Sequence, residues 1–63
     1  MTQMTKEQYS KKLNALIERS DLTEAQEKLV RKRAARYQKL GLDWVTILKL
    51  ITELIAMIRS LFD

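Results

Sequence analysis

The chain contains no proline and a single glycine, Gly41. These two residues disfavour a helix interior most, so almost nothing here interrupts one. Few of the remaining residues favour strands over helices, and the expectation is an all-α fold. Where helices begin and end must then be read from capping residues. Thr5 and Gln8 have capping-box spacing, and so do Thr23 and Gln26. Glu24 and Glu27 fall in the first turn after Thr23, where the helix dipole favours anions. Gly41 stands where a left-handed residue ends a helix, with Tyr37 and Leu42 spaced for the accompanying hydrophobic contact. Asp43 can cap the next helix at once, and Leu42 with Ile47 has hydrophobic-staple spacing. The reading is one small helical domain over 1–63, with helices at about 5–19, 24–40 and 44–62. Stop and start signals this close together at Gly41 and Asp43 predict a helical hairpin of the second and third helices.

A chain of 63 residues buries only about 60% of the surface its unfolded form exposes. Small scaffolds are commonly secured by disulfides, a metal or another copy of themselves. Cysteine and histidine are both absent, which removes disulfides and the usual zinc ligands. Self-association or a permanent partner is what remains. The N-terminus is polar and lacks the apolar stretch of a secretory signal. With no cysteine to suggest an oxidising compartment, a cytoplasmic or virion-associated location is expected.

Hydrophobicity is unevenly shared among the three helices. The first has a thin stripe, Tyr9, Leu13, Leu16 and Ile17, and is expected to offer little area. The third is about 28 Å long at 1.5 Å per residue. On a wheel turning about 100° per residue, its polar members fall within roughly 140° and apolar side chains fill the rest. Trp44, Leu48, Ile51, Ile55, Ile58 and Phe62 alternate steps of four and three, the spacing of a helix–helix seam. Ile47, Leu50, Leu54, Met57 and Leu61 form a second seam beside it. Two seams on one helix call for a bundle of at least four helices, so the hairpin is expected to be completed by self-association. Trp44, Ile47, Leu48, Ile51, Leu54, Ile55, Ile58, Leu61 and Phe62 are the expected oligomer or partner interface. A transmembrane span is disfavoured, because Lys49, Glu53 and Arg59 would each cost about 2.5–3.5 kcal/mol near mid-bilayer. A helix lying on the membrane surface fits less well than a shared core, since its polar face is nearly neutral.

The net charge of +4 comes entirely from the middle of the chain. From Lys28 to Lys39 there are six cations and no acid, whereas the flanking segments each carry one acid more than they carry cations. Lys28, Arg31, Lys32, Arg36 and Lys39 project to one face of the second helix, with Leu22, Leu29, Val30, Tyr37 and Leu40 opposite. A cationic face of this density suits phosphate contacts. It equally suits a solvated surface that keeps a greasy oligomer in solution. Arg33 falls on the stripe expected to face the core, where it either snorkels to the edge or pairs with an acid such as Glu18 or Glu53.

Other functional classes fit less well. A DNA-reading helix-turn-helix around Gly41 fails because the would-be recognition helix is the apolar one and has few side chains for base edges. There is no His, Cys or Gly-rich phosphate loop, so an enzyme is not expected. The carboxylates lack EF-hand spacing, and neither metal, cofactor nor small-molecule substrate is expected. The leading expectation is a small non-enzymatic oligomer presenting a basic helix to nucleic acid or another polyanion, in a virion or nucleoprotein setting. The alternatives are a protein-binding module of the phage or mobile-element kind, docking through its apolar third helix, and a peripheral membrane protein.

Overall fold

A computed structural model of the chain describes residues 4–62, the side chain of Phe62 excepted. It contains three helices: α1 (Lys6–Arg19), α2 (Glu24–Lys39) and α3 (Trp44–Phe62). Both capping boxes form. Thr5 Oγ1 accepts from the Gln8 amide at 3.1 Å, and the Thr5 amide donates to Gln8 Oε1 at 3.0 Å. Thr23 and Gln26 repeat the exchange at 3.2 and 3.0 Å. Each box satisfies two backbone donors that the first helical turn leaves without partners.

The turn between α2 and α3 is a Schellman closure. The Leu42 amide donates to the Tyr37 carbonyl at 3.3 Å and the Gly41 amide to the Gln38 carbonyl at 3.0 Å, with Gly41 at φ +85°. Asp43 holds the N-cap position of α3, its carbonyl accepting from the Ile47 amide at 3.0 Å. The turn between α1 and α2 shares the left-handed residue but only one of the two closing bonds, and has no glycine. There Asp21 takes φ +51° and its amide donates to the Glu18 carbonyl at 3.3 Å.

Helix α3 is the spine of the molecule and packs against both α1 and α2. Its core line is Ile47, Ile51, Ile55 and Ile58, which runs between the two seams read from the sequence and takes members of each. α2 meets it with Val30 and Ala34, and α1 with Tyr9, Leu13 and Ile17. Half-buried Leu16, Leu22, Tyr37, Leu42, Trp44, Leu48 and Leu54 surround this cluster. Helix α1 therefore covers more than its thin stripe suggested. Its Tyr9 ring stacks on Trp44 with centroids 4.6 Å apart, and aromatic rings bury large areas per residue. Among the described residues no helix is long and apolar enough to cross a membrane.

The face of α2 that looks inward differs from the expected one. Leu29 and Leu40 are exposed, by 44% and 68%, and Arg33 is exposed as well. The buried line is Val30, Ala34 and half-buried Tyr37, rotated by roughly 90° from the Leu29–Arg33–Leu40 line on the helical wheel. Ala34 explains the choice. A small side chain at the closest approach lets the two helices come together, while Arg33 facing inward would bury an unpaired charge.

Candidate polyanion-binding face

The basic block folds as one continuous helix, so its side chains take positions set by the helical wheel. Lys28, Lys32, Arg33, Arg36 and Lys39 spread over about 140° of the outer surface of α2, and all five are exposed. From Lys28 to Lys39 the face extends about 17 Å along the axis. The only acids on α2 are Glu24 and Glu27, both in its first turn. Glu24 lies 3.9 Å from Lys28, with both side chains largely in solvent, a geometry that holds little energy. Lys32, Arg33, Arg36 and Lys39 have no ion pair among the described residues. Lys32, Arg33 and Arg36 surround a shallow depression floored by Leu29. Arginine forks around such a depression can grip a phosphate through two parallel hydrogen bonds, with lysine adding point charge.

Arg31 is placed differently from the other cations of the expected set. Its Nε donates to Glu27 Oε2 at 3.1 Å and its Nη2 donates to Asn14 Oδ1 on α1 at 3.0 Å. It thus ties α2 to α1 and is engaged within the fold, while Arg33 takes its place among the outward cations. Neither Glu18 nor Glu53 pairs with Arg33 among the described residues.

The residues expected at an oligomer interface are divided by the fold. Ile47, Ile51, Ile55 and Ile58 lie in the core of the single chain, and Trp44 is half-buried against Tyr9. Leu48 and Leu54 are half-buried and Leu61 is exposed. The Phe62 side chain lies outside the described residues. Gly41 and Asp43 occupy the turn positions read for them. Exposed Leu29, Leu40 and Met57 were not in the expected set. The signal that could have found the first two is the Val30–Ala34–Tyr37 spacing, which offers the core a stripe free of charge.

A second open groove lies between α1 and α3, lined by Lys12, Ala15, Leu16, Arg19, Leu48 and Thr52. Burial pushes the Tyr9 hydroxyl pKa above the ordinary tyrosine value. Among the described residues no three metal-ligating side chains converge. Comparison of the chain with protein-family models, with characterised proteins and with solved structures finds no match.

Proposed function

We propose that the protein binds the phosphate backbone of nucleic acid through the outer face of α2, without selecting base sequence. The observation that carries this reading is the run of unpaired cations Lys32, Arg33, Arg36 and Lys39 on one helix face. The acids of α2 are confined to the far end of that helix. A face meant only to solvate the molecule tolerates acids interspersed with its cations, and mixed signs serve solubility well. Four or five cations over about 17 Å match a ligand whose charge is repeated along its length. Lysine and arginine reach phosphates on any sequence, and such contacts position the ligand without specifying it. A nucleoprotein or virion setting suits such a protein.

The test is fluorescence anisotropy with random-sequence duplex DNA and single-stranded RNA, across a salt series from about 50 to 200 mM. With four phosphate contacts the affinity should fall about a hundredfold over that range. Replacing Lys32, Arg36 and Lys39 together by alanine should lower the slope of log K against log salt by about 2–3. Circular dichroism should show the helices retained, because none of the three touches the core. Undetectable binding at the lowest salt would defeat the reading and leave the face as a solubilising surface.

A further inference from the structure

The cations of α2 do not stand alone on its outer surface. Leu29 and Leu40, exposed by 44% and 68%, fall inside the same sector of about 140° that holds Lys28, Lys32, Arg33, Arg36 and Lys39. Within that sector the side chains sort into two rows. Lys28, Lys32 and Lys39 lie within about 40° of one another and form the row farther from α3. Leu29, Arg33, Arg36 and Leu40, at steps of four, three and four, lie within about 60° and form the second. Two guanidinium groups thus stand between two leucines along about 17 Å of helix. The rows are centred about 90° apart, or about 8 Å across the surface of the helix. The depression lined by Leu29, Lys32, Arg33 and Arg36 lies where they meet.

We propose that the ligand of this face is single-stranded nucleic acid rather than a duplex, which rests on the phosphate-binding reading and narrows its substrate class. A contact to phosphates alone leaves Leu29 and Leu40 in water. A single strand has the same two-sided build as the face, with an edge of phosphates and, beside it, the flat apolar surfaces of its bases. The lysine row meets the phosphates as point charges. The second row meets the bases, which stack on arginine guanidinium planes and lie against the leucines. Stacking of this kind tolerates any sequence, because every base has a π-face. A duplex keeps its bases stacked inside and offers α2 phosphates and base edges, where thymine methyl groups are the main apolar contact. Both arginines of the row are available. Arg33 and Arg36 make no ion pair among the described residues, whereas Arg31, on the side towards α1, is held by Glu27 and Asn14.

The test is fluorescence anisotropy with one mixed-sequence DNA strand free of self-pairing, used alone and annealed to its complement, across the same salt series. Electrostatics alone favours the duplex, whose two strands carry about twice the charge per length. The strand alone is expected to bind about tenfold more tightly than the duplex at equal salt, the reverse of what phosphate contacts give by themselves. Leu29→Gln with Leu40→Gln should lower single-strand affinity about tenfold at every salt concentration. The slope of log K against log salt and the duplex affinity should stay as they are, since no charge is lost. Arg33→Lys with Arg36→Lys also keeps every charge and should lower single-strand affinity about threefold, through loss of the planar groups. All four side chains are exposed, so circular dichroism should show the helices retained. A duplex bound as tightly as the single strand overturns the inference and leaves the phosphate-binding reading standing. So does a leucine variant that holds the single strand like the wild type, or one that loses strand and duplex equally. Absence of binding to either form defeats both readings.

Discussion

Gly41 and Asp21 do the same backbone task with different side chains, which makes them a matched pair. Both follow a helix in the left-handed region, at φ +85° and +51°. A β-carbon added at Gly41 would meet nothing within 4 Å, so the cost of a side chain there is purely conformational. Gly41→Ala should lower stability by about 1 kcal/mol, seen as a fall of roughly 4–8 °C in the melting temperature of a domain this small. Asp21→Gly should raise stability by up to about 0.5 kcal/mol, because aspartate already tolerates this conformation better than most residues and glycine adds unfolded-state freedom. Thermal melts of the two variants check the pair. The same sign for both would mean that the two turns are not equivalent.

At the scale of the helix, α3 carries apolar side chains around most of its circumference and only one line of them makes the core. Ile51 is fully buried and Leu61 is 76% exposed, although both belong to seams of equal apolar quality. Ile51→Ala should cost about 2–5 kcal/mol through lost burial and the cavity left behind, a large part of the stability of a chain this short. Leu61→Ala should change the stability of the dissociated chain by less than about 0.5 kcal/mol. Chemical denaturation at low protein concentration measures both. Helix α2 shows the complementary arrangement, with one uncharged line, Val30 and Ala34, set between an Arg31 that grips α1 and an Arg33 that faces outward.

On the scale of the molecule, the three helices share a core of nine buried residues among those described, none of them charged. The polar ties between α1 and the rest are few, with Arg31–Asn14 the one side-chain hydrogen bond joining two helices among the described residues. A core this small leaves stability sensitive to anything that binds the folded form. If the chain self-associates, as the two apolar seams of α3 call for, the melting temperature should rise with protein concentration, since association stabilises by mass action. A hundredfold increase in concentration should raise it by several degrees in a self-associating chain and leave a monomeric one unmoved. Differential scanning calorimetry at two concentrations reads this directly.

Helix boundaries were legible in the sequence because each is decided by residues three to six apart. Thr5 with Gln8, Thr23 with Gln26, and Gly41 between Tyr37 and Leu42 make their hydrogen bonds locally. The wheel also placed Lys32, Arg36 and Lys39 on an outer surface, because charges so dense on one face have nowhere else to go. Which apolar side chains are buried was a different kind of question. The rotation of α2 and α3 about their own axes depends on contacts between residues far apart in the chain: Tyr9 stacked on Trp44, Asn14 holding Arg31, and small Ala34 admitting α3. No local pattern contains those contacts. Local chemistry therefore determined where each helix starts and stops. Only tertiary packing decided which side of it faces inward, and with that which leucines and which arginines were left for a partner.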